Sequence, residues 1–292
     1  MAAAYALIAA ALFAAALVTT QFGLRHMDGL AGAKISVPSA TVLLWLLFPL
    51  RNAGGFEGWN AQGAGVFLAL GMFFPVAVTL LAYEANRRMG PTIAGAIGST
   101  APLFAVLGAV LFLGETLGLS QIVATLAIAG GSTVLVCRGN TGGAGSEWQK
   151  GAAFVSWVAW LAAALRALAQ VIAKAGLLLW PNPYAAVLLG YTVSAVIIWV
   201  IAAFSRRPAS RVYTRRGMVW FALTGLFNCC AVLALYAALE IGTVNIVSPI
   251  AATYPLFTLV LNTLILHEER LSARLIGGVA LMVGGVVVLL VL

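Results

Sequence analysis

Ile97-Gly98-Ser99-Thr100-Ala101-Pro102-Leu103-Phe104 returns in the second half of the chain as Ile250-Ala251-Ala252-Thr253-Tyr254-Pro255-Leu256-Phe257. Both stretches lie inside long apolar runs. The register extends outward at one offset of 153 residues: Tyr83 falls on Tyr236, Thr100 on Thr253, Pro102 on Pro255 and Glu115 on Glu268. After that acid one extra residue intervenes, and Gly130-Gly131 meets Gly284-Gly285. The chain reads as a duplication with a proline at the same place in each half.

Composition decides the solvent. With 63% apolar residues, 8% charged residues and a mean hydropathy of +1.05, a water-soluble domain would have to expose large apolar patches. Ten runs are long enough to cross roughly 30 Å of hydrocarbon. They lie at residues 2–24, 30–50, 64–86, 91–114, 118–137, 151–175, 184–204, 217–240, 244–267 and 272–292. The first has no Lys or Arg before it and is longer than a signal core, so it reads as a retained span. Residues 138–150 alone have linker composition, being Gly-rich, polar and without periodicity. The predicted organisation is a five-helix repeat over 1–137, a polar linker over 138–150 and a second five-helix repeat over 151–292. Five is odd, so the second repeat enters the membrane in the opposite sense. The expected fold is an all-α polytopic membrane protein of ten transmembrane helices in two inverted repeats, a pattern that points to transport with substrate held between the halves.

The loops carry their charge on one side. If the amino terminus defines the first side, the opposite side receives Arg25, Lys34, Arg87, Arg88, Arg138, Lys150, Arg206, Arg207, Arg211, Arg215, Arg216, Arg270 and Arg274, and the first side receives Arg51 and Lys174, 13 against 2. The positive-inside rule then makes the arginine-rich side cytoplasmic and places both termini outside. The formal charge of +8 is mostly this topology signal, and no basic soluble domain exists to hold nucleic acid. The Arg206 to Arg216 cluster could also hold anionic headgroups. Cys137, Cys229 and Cys230 offer no metal-ligand or disulfide spacing and read as packing residues. No nucleotide-binding loop, His-Glu-x-x-His, Gly-x-Ser-x-Gly or pair of intramembrane carboxylates occurs. His26 and His267 read as interfacial. No metal site, cofactor or enzymatic activity is expected.

Pro102 and Pro255 are each the twelfth residue of their runs, near the midplane at about 1.5 Å of rise per residue. Each removes a helical hydrogen bond and frees a carbonyl that lipid cannot satisfy, so the backbone there should face protein or a wet cavity. A simple bend, with Thr100 and Thr253 bonding their own backbone, is the other reading; recurrence at matched depth favours a cavity wall and a hinge. Further intramembrane polar residues are cavity candidates: Thr19, Thr20 and Gln21, Gln170, Asn228, Asn245 and Ser248. Hydrogen bonding between helices would account for any of them singly, and is the preferred reading for Ser194 and Asn262. Tyr83, Tyr236, Tyr254, Trp157 and Trp160 supply either an aromatic lining or an interfacial belt. Arg166 lies eight residues before Lys174, roughly 12 Å of helix below the outer end of its span. It either snorkels to headgroups or faces the cavity, where it would bind a substrate carboxylate or hold helix carbonyls apart. No Asp, Glu or His stands at the centre of a span to carry a coupling proton, and Glu84 and Glu240 lie near span ends.

Two five-span halves resemble the EamA type of the drug/metabolite transporter superfamily. In each a central Pro is followed thirteen residues later by Glu and then by a Gly-rich last span, here Pro102 to Glu115 with Gly130-Gly131, and Pro255 to Glu268 with Gly277-Gly278 and Gly284-Gly285. The resemblance covers nearly the whole chain. It implies a bacterial inner-membrane transporter, sufficient as a monomer in the bilayer. Its function would be to move amino acids, metabolites or drugs, commonly outward, through a cavity formed by spans one, three, four, six, eight and nine. The aromatic or broad-range amino acid exporter branch is the first to test. The chain departs from the pattern at His267-Glu268-Glu269, and many relatives begin on the cytoplasmic side. A multidrug or other metabolite transporter of the same fold, or a non-transporting membrane scaffold or receptor subunit, are the competing readings.

Overall fold

The computed structural model describes residues 1–51, 56–137, 152–204, 213–266 and 273–291; within these, side chains are described except at 51, 86–96, 135–137, 152–156, 202, 262–266 and 273–275. The linker 138–150, Glu268 and the 206–211 arginines lie outside the described residues, and the side chain of Asn262 is among those not described. All the described regular structure is helical: α1 Ala2–Leu24, α2 Gly29–Arg51, α3 Ala61–Gly71, α4 Val76–Gly98, α5 Ala101–Leu113, α6 Leu119–Cys137, α7 Ala152–Leu179, α8 Pro183–Phe204, α9 Arg215–Ile241, α10 Val244–Ala251, α11 Tyr254–Leu266 and α12 Ala273–Val291.

These helices form ten apolar spans, seven of 18 residues or more and three shorter. The third span joins α3 to the first part of α4, the fourth joins the end of α4 to α5, and the ninth joins α10 to α11. One expectation is corrected. Helix continues through residues 87–90, where the apolar runs predict a loop, and the breaks fall at residues 72–75 and 99–100 instead. Arginine is a good helix former, so the charges that end the apolar run do not by themselves end the helix. Proline does set helix starts, because its missing N–H is an orphan in the first turn anyway. Accordingly α4 begins right after Pro75, and Pro102 is the second residue of α5.

Lipid cannot satisfy a broken backbone, so polar side chains do. Ser194 Oγ on α8 donates to Gly71 O at 2.7 Å and accepts from Val76 N at 3.4 Å, bridging the break between α3 and α4. Helix starts are capped by Asn60 Oδ1 (Gly63 N, 2.9 Å), Asn182 Oδ1 (Ala185 N, 2.9 Å) and Thr214 Oγ1 (Gly217 N, 3.1 Å). Large apolar side chains such as Leu111, Phe112, Val196, Trp199 and Phe204 point outward, as lipid allows.

The inversion is visible in packing. A Cβ on Gly131 would lie 2.7 Å from Gly278 O and 2.6 Å from Met282 Cγ; one on Gly285 would lie 2.8 Å from Ala124 O and 2.7 Å from Ile128 Cγ1. Past Glu268 the offset is 154, so Ala124 and Ile128 are the counterparts of Gly278 and Met282. The α6–α12 contact is therefore its own mirror under exchange of halves, and it runs antiparallel. Other contacts come in exchanged pairs: α1 packs on α9 and α11 as α7 packs on α3, α4 and α5. Small residues let these backbones approach. Ala6, Ala9, Ala10 and Ala14 of α1 are fully buried, and a Cβ on Gly225 of α9 would strike Ser36 O at 2.1 Å.

The end of the bundle on which both termini lie is tightly packed. Trp180, directly after α7, is 1% exposed, stands edge-on to Phe56 (5.4 Å) and Trp59 (5.1 Å), and donates Nε1–H to Glu57 O at 3.0 Å. Leu44, Phe67, Leu239 and Val244 are buried in the same core.

Candidate functional site

The two prolines sit at matching breaks. In the first half Thr100 N and Thr100 Oγ1 both donate to Ile97 O, at 3.1 and 2.6 Å, and Leu103 N donates to Thr100 O at 2.9 Å. In the second half Thr253 N and Thr253 Oγ1 both donate to Ile250 O, at 3.1 and 2.7 Å, and Leu256 N donates to Thr253 O at 2.9 Å. Each threonine thus closes one half-helix with its own side chain, and each proline lies in the first turn of the next. The carbonyls that a residue with an N–H would reach four places back are those of Gly98 and Ala251. Both residues line a central cavity of about 80 Å³ of water-accessible volume, room for several waters. Residues of α6 brace the breaks: Ser99 Oγ and Thr133 Oγ1 are 3.2 Å apart, and Ser132 Oγ donates to Ala252 O at 3.4 Å.

Of the residues singled out from sequence, Pro102, Arg166, Gln170, Asn228, Tyr236, Ser248 and Tyr254 line this cavity. The others do not. Thr20 Oγ1 donates to Ala16 O (2.7 Å) and lies 3.5 Å from Thr224 Oγ1, while Thr224 Oγ1 donates to Thr19 Oγ1 at 3.0 Å, so this polar group ties α1 to α9. Gln21 is half-buried and outside the lining. Tyr83 is buried, bonds Ser36 and Thr20, and packs against Phe221 at 6.1 Å. Thr100 and Thr253 spend their hydroxyls on the breaks, and Pro255 is buried behind the wall. Trp157 and Trp160 are 47% and 43% exposed on the outer face of α7, with Trp160 edge-on to Phe104 at 6.0 Å. Asn245 is buried at the start of α10 and faces Glu115 and Thr116.

Phe13, Ser36, Phe74, Pro75, Thr79 and Tyr191 also line the cavity, and sequence reasoning did not single them out. Applied to Arg166 and Asn228, the repeat offset would have found two of them, Phe13 and Pro75. At 153 residues Phe13 pairs with Arg166, Pro75 with Asn228 and Thr79 with Val232, just as Gly98 pairs with Ala251 and Ala101 with Tyr254, and every one of these residues lines the cavity. The cavity straddles the pseudo-twofold relation. Its chemistry does not follow that symmetry: the second half contributes Arg166, Gln170, Asn228, Tyr236, Ser248 and Tyr254, whereas the first half is mostly apolar, with Phe13 where the second has Arg166. Among the described residues no carboxylate is in the lining.

Two discontinuous helices facing one cavity across an inverted repeat are the architecture of a secondary membrane transporter. The model of the EamA-like transporter family matches residues 1–137 and 153–291. The chain belongs to that family, within the drug/metabolite transporter superfamily, and is a multi-pass membrane transport protein. A solved crystal structure of a protein superposes with a TM-score of 0.80 over 98% of this chain and 95% of its own, at 16% identity, a likeness of fold. No curated protein matches the sequence.

Proposed function

We propose that this protein carries amino acids across the bacterial inner membrane by alternating access, working as a monomer with both termini outside. The observation that carries the reading is the unequal lining of the cavity. The lining from the first repeat is mostly apolar, with Phe13, Phe74 and Val78, and that from the second holds Arg166 with neutral polar groups. A guanidinium in a low-dielectric cavity with no carboxylate among the described lining residues favours a substrate anion, and the fork of Arg suits a carboxylate. The apolar lining suits an aromatic or aliphatic side chain. Export as the direction rests on the family resemblance, and orientation on the loop charges. Matched half-helices in inverted repeats support alternating access by rocking of one repeat on the other.

Counterflow of labelled amino acids in proteoliposomes tests this. Saturable uptake, competed by unlabelled amino acid, is the expected result. Transport of cationic drugs or nucleosides with none of any amino acid would move the protein to another substrate class of the same fold; no transport across the whole panel would leave a non-transporting role.

A further inference from the structure

The cavity lining includes three polar side chains whose terminal atoms lack a hydrogen-bond partner among the described residues: Gln170 Oε1, the Tyr236 hydroxyl and Ser248 Oγ. They are 7%, 2% and 1% exposed. Buried polar atoms are nearly always paired, so three orphans in one cavity mark a place built for a polar ligand group. They also share a level. Gln170 is one helical turn inward from Lys174, Ser248 one turn inward from Val244, and Tyr236 three residues from Leu239. Lys174 bonds Leu239 O directly, and Val244 heads the helix after the same turn. Arg166 lies one further turn in, about 6 Å along α7 and on the same face as Gln170.

We infer that Gln170, Tyr236 and Ser248 form a subsite for a primary ammonium, so that an α-amino acid is held as a zwitterion with its carboxylate on Arg166. This rests on the amino acid reading above. An ammonium offers three N–H donors and no acceptor, and the orphan set offers one acceptor-only amide oxygen and two hydroxyls able to accept. A simple amine would meet the Arg166 cation with no carboxylate among the described lining residues to offset it. A simple carboxylate, which only accepts, could take the two hydroxyls as donors but would leave Gln170 Oε1 unfilled. A zwitterion meets both conditions, and its own charges compensate one another inside the membrane.

The test measures binding to purified, detergent-solubilised protein with three probes: L-phenylalanine, 3-phenylpropionate, which lacks the ammonium, and phenethylamine, which lacks the carboxylate. L-phenylalanine should bind at least tenfold tighter than either analogue. Ser248→Ala and Tyr236→Phe should each weaken L-phenylalanine and phenethylamine about tenfold, the loss of one hydrogen bond to a charged group, and leave 3-phenylpropionate unchanged. Arg166→Lys, which keeps the charge but loses the fork, should weaken L-phenylalanine and 3-phenylpropionate and spare phenethylamine. If both hydroxyl variants, with unaltered melting temperature, leave L-phenylalanine binding intact while Arg166→Lys weakens it, the ammonium subsite is wrong and the amino acid reading stands. If phenethylamine binds as tightly as L-phenylalanine and loses affinity in the hydroxyl variants, the subsite stands and the amino acid reading falls. No binding of any probe at millimolar concentration overturns both.

Discussion

Glu115, at the end of the first repeat's broken span, accepts a hydrogen bond through Oε2 from the backbone N–H of Asn245, at the start of the second repeat's broken span, at 3.0 Å. Its Oε1 accepts from Val244 N at 2.9 Å, and Asn245 Nδ2 returns a bond to Thr116 O at 3.1 Å. Gly114, with φ 67°, ends α5 in the left-handed conformation, and Glu115 N folds back onto Ala109 O at 3.2 Å, which aims the carboxylate at α10. A carboxylate on a helix N-terminus is favourable by about 0.3–1 kcal/mol, more where partly buried. Beside it Lys174 Nζ donates to Leu239 O and Gly242 O, at 2.7 and 2.8 Å, holding the turn between α9 and α10. The counterpart of Val244 at offset 153 is Pro91, which has no N–H, so this pair of bonds cannot be reproduced in full at the other end of the bundle.

That clamp should hold shut the end of the bundle where the termini lie. In a background lacking the native cysteines, Ala251→Cys in the cavity wall is expected to react with impermeant maleimide from that side several-fold faster when Glu115→Ala is added. An unchanged labelling rate would show that Glu115 does not hold this end closed.

The prolines lie where two half-helices begin, so Pro102→Ala and Pro255→Ala supply N–H groups aimed at Gly98 and Ala251 and favour a continuous helix. Each should lower the initial counterflow rate in proteoliposomes while the helical circular dichroism and the melting temperature are kept. Wild-type rates in both variants would reduce the prolines to packing residues.

Glycines of the last spans separate into two kinds. A Cβ at Gly131 or Gly285 meets backbone oxygen at 2.7 or 2.8 Å, whereas one at Gly130 or Gly284 meets nothing within 4 Å. Gly131→Ala and Gly285→Ala should therefore destabilise the purified protein, by about 1–3 kcal/mol, and Gly130→Ala and Gly284→Ala should not. Thermal unfolding of the four variants decides it; equal melting temperatures would contradict the α6–α12 contact.

The proposed orientation rests on the loop charges alone. A single cysteine at Ser210, in the arginine-rich loop outside the described residues, should resist impermeant maleimide in intact cells and label after lysis, and one at Ala61 should do the reverse. The opposite pattern would invert the protein in the membrane.

The amino acid sequence by itself determined the solvent, the number of spans, the duplication and the place along the chain of the two matched breaks. Hydropathy, the net side of the loop charges and the Thr-x-Pro spacing accumulate along the chain and need no knowledge of neighbours. It also singled out Arg166 and Gln170 as intramembrane polar residues, with snorkelling left open for Arg166 and helix-to-helix bonding for Gln170. Which way each helix faces was decided only by tertiary packing. Trp157 and Trp160 share α7 with Arg166 and Gln170, but six residues from Trp160 to Arg166 turn the helix by roughly 240°, so the tryptophans face outward while the arginine lines the cavity. Thr20 and Asn245 are as polar as Asn228 and Ser248, but the first is taken up by α9 and the second by the end of α5. The Glu115 clamp belongs to the same class, because its two ends lie 130 residues apart and meet only when the halves pack.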